Sequence, residues 1–193
     1  MMNSCVAMIV AGAVLVGCGD APEPEAPVVS ETGGQVAAKN SECDPYLKFC
    51  IKAKVSGAAE VSGVTGFGGS EPCAKWAAGG VARVLELPTM LPMPEKNPIT
   101  VALTRIAAYT GPGEYTLVST RQGSIPDALP ALDTGERSFG DGTGSMAKVM
   151  IKADGSGSLE ASNLVEIKAA HRTREPDPAA RVSLSMNWTC RDL

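Results

Sequence analysis

Residues Arg181–Cys190, RVSLSMNWTC, alternate apolar and polar side chains along their whole length. Successive side chains of a β-strand point to opposite faces, so this alternation predicts a strand with one buried and one solvated face. The apolar face would hold Val182, Leu184, Met186, Trp188 and Cys190. A strand with one wet face is typical of an antiparallel sheet, and it places Cys190 near Trp188 on the buried side.

Several other stretches repeat the two-residue period. Asp154-Gly155 separates two apolar runs, Lys148–Lys152 and Ser158–Val165, which is a strong short-range signal for a hairpin. Shorter strands are predicted at Ile51–Val55, Ile99–Thr104 and Gly113–Leu117. The chain also suggests a helix over Pro72–Leu87, but Gly79-Gly80 interrupts it.

Turn-forming residues set the spacing of these strands. Gly and Pro recur at intervals of about 8–12 residues, as they do in all-β domains. We therefore expect residues 42–193 to form one all-β domain, an antiparallel β-sandwich or a flattened barrel. Its size of about 150 residues is enough to bury most of the surface of the unfolded chain.

The N-terminal segment has the pattern of an export signal. The apolar run Cys5–Gly17 is shorter than the ~18–20 residues that a membrane-spanning helix needs. It ends in Leu15-Val16-Gly17-Cys18, the form of a lipobox, which predicts cleavage before Cys18 and acylation of that cysteine by chains such as palmitate. Residues 1–17 are thus expected to be a lipoprotein signal peptide, although they lack Lys and Arg. The alternative is a plain secretory signal that is cleaved nearby.

The residues after Cys18 are predicted to form a tether. Gly19–Pro27 is rich in Pro and Glu and contains no aromatic residue, so residues 18–41 are expected to be a disordered spacer. Gly19 stands where an Asp tends to retain lipoproteins at the inner membrane. We therefore expect a lipid-anchored protein of the bacterial cell envelope, at the outer membrane or cell surface rather than at the inner membrane.

Four cysteines remain once Cys5 is removed with the signal and Cys18 is acylated. An even number of cysteines in an exported chain predicts two disulfides among Cys43, Cys50, Cys73 and Cys190. Three pairings are possible. The turn-forming Asp44-Pro45 favours Cys43–Cys50, which leaves Cys73–Cys190. A metal or redox site is disfavoured because the chain has no Cys-x-x-Cys and only one His.

A turn motif carries a resemblance to known lipoproteins. The stretch Tyr109-Thr-Gly-Pro-Gly-Glu-Tyr115-Thr-Leu117, the later hairpin at Asp154 and the closing Trp188-Thr-Cys190 resemble a loose group of bacterial lipoproteins expected to be β-sandwiches. A more distant likeness is to the mycobacterial 19-kDa lipoprotein antigen group. The resemblance implies a fold and carries over no catalytic residue. From the residues alone, Tyr109 and Tyr115 are interpreted as a structural pair over the turn rather than as a ligand platform.

No catalytic, metal or cofactor site is predicted from motifs. A Ser-His-Asp triad would have to use the single histidine, His171, and there is no Gly-x-Ser-x-Gly elbow. The turns at Asp141 and Asp154 lack the spaced ligands of a calcium loop, and Gly63–Gly69 lacks the Lys of a phosphate-binding loop. The net charge of −4, without a basic stripe, argues against a nucleic-acid partner.

Two classes of function remain open. We favour a non-enzymatic binding or structural module, anchored in membrane lipid through Cys18, that contacts an envelope protein or glycan. Its contact region is expected at one end of the sandwich, where loops Leu87–Pro98, Arg121–Thr143 and Arg172–Ala180 would converge. Apolar Met90, Leu91 and Met93 suit either a partner or the protein's own edge. The alternative is a secreted hydrolase that gathers acidic residues around His171.

Overall fold

The computed structural model describes residues 43–81, 83–93, 97–118, 126–170 and 173–193. These residues form eleven strands and one short helix, and the strands run antiparallel. The elements are β1 Phe49–Gly57, β2 Val61–Phe67, α1 Cys73–Ala77, β3 Arg83–Glu86, β4 Thr100–Ala102, β5 Arg105–Tyr109, β6 Gly113–Val118, β7 Ala131–Asp133, β8 Ser138–Gly140, β9 Met146–Ile151, β10 Gly157–Ile167 and β11 Arg181–Cys190. The prediction of an all-β fold is confirmed. The predicted signal peptide, Cys18 and the tether lie outside the described residues.

The last strand lies in the middle of the main sheet. Its bounds, Arg181–Cys190, are those predicted from the alternating pattern. It pairs on one side with β1 along the whole length of that strand and on the other side with β10. Val182, Leu184, Met186 and Trp188 are all buried, whereas the intervening polar residues face outward. The polar face is solvated, as the sequence indicated.

Strand β10 divides the sheet into two branches. Its first half, Gly157–Ser162, pairs with β9 and completes the predicted hairpin, and its last residues, Val165–Ile167, pair with β8. The change follows Asn163, which adopts the left-handed conformation at a φ of 56° and shifts the register against β11. Asn tolerates that conformation better than most residues. One branch then continues to β6, and the other continues through β7 to β4.

The small β3–β5 sheet extends the second branch. The pairs Leu85↔Ile106 and Met90↔Val101 share one register, so β3 and Met90 lie along one continuous edge of β4 and β5. The opposite edge pairs with β7 and, through a single bridge, with Ala128. The whole is a curled antiparallel sheet, a half-barrel whose concave side encloses a sandwich-like core.

The two ends of the half-barrel differ. Both disulfides lie at the end where β1 begins and β11 finishes, which we call the disulfide end. The Cα atoms of Cys43–Cys50 are 5.4 Å apart and those of Cys73–Cys190 are 5.9 Å apart. This is the pairing that local geometry favoured, and it is confirmed. Near it, the indole Nε1 of Trp188 donates a hydrogen bond of 2.9 Å to the carbonyl oxygen of Gly155.

One expectation about loops needs correction, and the interrupted helix is short. The segment Arg121–Thr143 is not a single long loop, because β7 and β8 lie within it. The helix suggested over Pro72–Leu87 is limited to Cys73–Ala77. Gly79 follows it and packs so closely on Thr110 that no side chain fits there. No helix within the described part of the chain has the length and apolarity that crossing a membrane requires.

Candidate functional site

The end opposite the disulfides is organised around one arginine. Arg137 stands in the turn between β7 and β8, and its Nη1 donates a hydrogen bond of 2.7 Å to the carbonyl oxygen of Ala58, in the β1–β2 turn. Its Nη2 donates to Oε2 of Glu166, near the end of β10, at 2.5 Å. The guanidinium lies 5.2 Å from the ring centre of Phe139. One side chain thus connects three segments, and we call this region the Arg137 end.

Glu166 accepts from a third loop as well. Its side chain is only 3% exposed, and Oε2 also receives the backbone N–H of Asp177 at 3.1 Å. Nε of Arg174 lies 3.5 Å from its other oxygen. The hydrogen bond from Arg137 is the main cause that lowers the pKa of Glu166, although burial acts in the opposite direction. The same bond raises the pKa of Arg137, so both groups stay charged.

The strand pattern explains how a carboxylate comes to be buried here. After the irregularity at Asn163, the inward positions of β10 are Leu164 and then Glu166. Glu166 therefore occupies an inward-facing position of the strand, where apolar residues normally lie. A charged group that is buried there needs a partner of opposite charge. Arg137 supplies that charge, while its own Nε is buried without a hydrogen-bond partner among the described residues.

The neighbouring turn is fixed by a second carboxylate. Asp133 accepts from the backbone N–H of Gly135 at 2.8 Å and from the hydroxyl of Ser138 at 2.7 Å. Pro98 lies beside this turn, because its carbonyl oxygen is 4.0 Å from where a Cβ on Gly135 would stand. Parts of the three segments predicted to converge, around Pro98, Arg137 and Asp177, therefore do meet at one end.

This arrangement can present a preformed surface. Exposed residues of both charges border the buried ion pair, namely Glu136, Lys168, Arg174 and Glu175. Close to them in sequence, the side chain of Arg137 and the backbone N–H of Asp177 are both bonded to Glu166, so a ligand at this end meets residues anchored to the buried carboxylate. Loops held on a rigid scaffold are the usual carriers of recognition.

The apolar segment after β3 packs mainly on the protein itself. Met90 is fully buried, pairs with Val101 and lies over Gly63 of β2, where an added side chain would also collide with Asn97. Leu91 and Met93 remain exposed. The interpretation that this stretch covers the protein's own edge therefore holds for Met90.

The tyrosine pair is structural, as expected from its turn. The rings of Tyr109 and Tyr115 lie 5.3 Å apart, and Tyr109 is fully buried with its hydroxyl donating 2.6 Å to the carbonyl oxygen of Ala77. The hydroxyl of Tyr115 accepts from the N–H of Gly111 at 3.1 Å and donates to the carbonyl oxygen of the same residue. Both hydroxyls are used by the backbone.

The other sequence candidates that the structure describes belong to turns and strands. At Asp154, the carboxylate accepts from the N–H of Ser156 at 2.9 Å, which is the bond of a hairpin turn. Gly63–Phe67 belongs to β2. Among the residues that the structure describes, no group of three or more His, Cys, Asp or Glu could hold a metal ion. His171 lies outside them.

Sequence reasoning missed the pair of Arg137 and Glu166, which joins residues 29 positions apart. One signal was present, since Glu166 continues the alternation of Leu164. A charged residue at an inward-facing strand position needs a partner of opposite charge, but the sequence pattern does not identify that partner.

A scan of protein-family models and searches of curated proteins and of solved structures found no match to the chain. The resemblance to bacterial β-sandwich lipoproteins therefore stays a prediction.

Proposed function

We propose that this chain is an exported lipoprotein, held to a bacterial membrane through acylated Cys18, whose folded domain binds an envelope protein or glycan with its Arg137 end. The function proposed is recognition rather than catalysis. The proposal rests on two observations, the lipobox in the sequence and the difference between the two ends of the folded domain.

The main observation behind the proposal is that the point of attachment and the loops held by Arg137 lie at opposite ends of the half-barrel. The polypeptide reaches the domain at Cys43, which is bonded to Cys50 at the start of β1. The loops held by Arg137 lie at the other end of β1, a strand of nine residues. At ~3.3 Å per residue the two ends are about 25–30 Å apart. A partner can therefore reach these loops on the side away from the point of attachment.

The disulfides support export. All four cysteines of the described chain are paired, one bond closing a short loop and the other joining residues 117 positions apart. Structural disulfides persist in oxidising compartments and are rare where thiols are kept reduced. This favours a location outside the cytoplasm, as the lipobox predicts.

Metabolic labelling with an alkyne palmitate tests the anchor. We expect the chain to take up label and to lose it in Cys18→Ser. Cys5→Ser is the matched control, because Cys5 lies in the segment that is removed, and it should label normally. Label that persists in Cys18→Ser, or a chain that never labels, would contradict the anchor.

Crosslinking in cells tests which end binds the partner. A photoreactive residue at Glu136 reports on the Arg137 end, and one at Lys152, in the exposed β9–β10 turn, reports on the disulfide end. We expect a discrete adduct from Glu136 that is lost when Arg137 is replaced. Equal capture from both positions would count against recognition by the Arg137 end.

A further inference from the structure

A cleft opens at the disulfide end, far from the loops assigned to recognition. Its volume is about 360 Å³, and it lies between the chain after β2 and the residues that follow β11. The charged residues that line it are Lys48, Arg191 and Asp192, and Gly69 and Ser70 form another part of its wall.

Lys48 brings a buried positive charge to this cleft. Its side chain is 6% exposed, and Nζ donates to the carbonyl oxygen of Glu71 and lies 3.5 Å from Oδ1 of Asp192. That oxygen also accepts the backbone N–H of Cys73 at 2.7 Å. The ammonium has three donors, and the described residues supply partners for two of them. Among the described residues, one donor of the ammonium therefore remains for a ligand.

Arg191 adds a second cation. Its backbone N–H donates 2.9 Å to the carbonyl oxygen of Lys48, which fixes the two residues side by side. Its side chain is exposed, and the guanidinium has no ion-pair partner in the part of the chain that the structure describes. The Asp192 carboxylate, 63% exposed and also bound by the backbone N–H of Cys73, pairs with Lys48 and not with Arg191.

We propose that this cleft binds a phosphate-bearing anion. Arg191 and Lys48 line the same cleft. The planar donors of an Arg match two phosphate oxygens, and a Lys supplies a point charge. The volume accommodates a phosphate with a small substituent. Phosphate would complete the donors of Lys48 and give Arg191 a partner.

The position of the cleft favours the phosphate of a lipid headgroup as its ligand. It lies at the end where the chain arrives from Cys18, and the exposed side chain of Leu193 stands at its edge. Tyr46, two residues before Lys48, is also exposed. Exposed apolar and aromatic side chains beside cations suit a membrane interface. In a lipid-anchored protein the phosphate of a lipid headgroup would therefore be within reach, and this part alone rests on the proposed function.

Titration with inorganic phosphate, followed by amide NMR, tests the site. The full chain is used with Cys18→Ser, so that no acyl chain contributes. We expect saturable shifts confined to Gly69, Ser70 and their neighbours in the cleft. Arg191→Gln should weaken binding about tenfold, the cost of a lost charge-assisted hydrogen bond. Its fold should be retained because the hydrogen bond to Lys48 is made by the backbone.

Lys148→Gln is the matched control, since it removes one exposed positive charge from β9 outside the cleft. It should leave the phosphate affinity unchanged. Shifts that do not saturate, or an equal loss in Lys148→Gln and Arg191→Gln, would overturn the site.

Vesicle binding by the same variants separates the two sources. The apolar N-terminal segment is common to all variants, so the comparison is between Arg191→Gln and its parent. A preference for phosphatidylglycerol vesicles over neutral ones, reduced by Arg191→Gln, supports a headgroup. Phosphate binding without that preference supports a free phosphate compound. Failure of palmitate labelling with intact phosphate binding would refute the proposed function and leave this site standing.

Discussion

Nη2 of Arg137 lies 2.5 Å from Oε2 of Glu166, and this contact joins the β7–β8 turn to the end of β10. Glu166 is almost fully buried, whereas both partners of the Lys168–Glu175 ion pair are exposed. A buried charge depends on its partner, and an exposed one is solvated by water. The stability of the Arg137 end therefore depends on this pair.

Replacing Arg137 with Met should lower the free energy of unfolding by up to about 3–5 kcal/mol, because it leaves the buried Glu166 carboxylate with only the exposed Arg174 as a counter-charge. Urea unfolding measures the change. Lys168→Met, which breaks the exposed pair with Glu175, should cost less than about 1 kcal/mol. Adding Glu166→Gln to Arg137→Met should recover part of the loss. Equal costs for the two single variants would show that burial of the pair is unimportant.

Acid should weaken the domain through Glu166. Its pKa is below the ordinary value of 4.5 in the folded chain, because Arg137 donates to the charged form. A lowered folded pKa contributes stability that is present above the ordinary value and is lost as the pH falls toward the folded value. We expect the melting temperature to decline from about pH 5 downward. Glu166→Gln should flatten this decline and the exposed Glu175→Gln should not, as calorimetry at several pH values can measure.

The two disulfides should differ in their contributions. Cys73–Cys190 spans 117 positions and Cys43–Cys50 spans seven. By the chain-entropy model, the long loop contributes about 4–5 kcal/mol and the short one about 2.5 kcal/mol. Paired replacement by Ser, one disulfide at a time, should reproduce that order in urea unfolding. A larger loss without Cys43–Cys50 would show that native contacts around the short loop outweigh loop entropy.

The two neighbouring glycines after α1 should respond oppositely to a methyl group. A Cβ on Gly79 would overlap the carbonyl oxygen of Thr110, whereas one on Gly80 would lie 3.8 Å from Cβ of Arg83, an ordinary contact. Gly79→Ala should therefore cost about 1–3 kcal/mol. Gly80→Ala should be neutral or stabilise by up to about 1 kcal/mol, because it restricts the unfolded chain. Thermal melts of both variants provide the test, and similar melting temperatures would contradict it.

The sequence predicted what depends on local pattern. β11 and the β9–β10 hairpin follow from alternation and from Asp154-Gly155, which act within a few residues. Strands β7 and β8 were missed, because three residues carry too little alternation to be seen. The pairing of Arg137 with Glu166 was missed for another reason. The alternating pattern places the Glu166 carboxylate at an inward-facing position. Its partner, Arg137, lies in a distant turn, and the local pattern does not show which turns meet.

Leu103, which lies between β4 and β5, has a backbone conformation that is unfavourable for leucine. Leu103 has a φ of 62°, in the left-handed region, yet its side chain is 75% exposed. This conformation costs a leucine about 1–2 kcal/mol, whereas Asn adopts it more readily. Leu103→Asn should therefore stabilise the domain by about 0.5–1 kcal/mol, since little buried contact is lost.

Leu91→Asn is the control for that change, because Leu91 is also exposed but is not among the described residues with a positive φ. It should leave the free energy of unfolding within about 0.5 kcal/mol of the parent. Urea unfolding of both variants decides the point. If Leu103→Asn destabilises the chain, the leucine side chain contributes contacts that outweigh its strain. If it stabilises the chain as expected, the strained leucine is a cost to folding, and crosslinking from position 103 would show whether a partner contacts it.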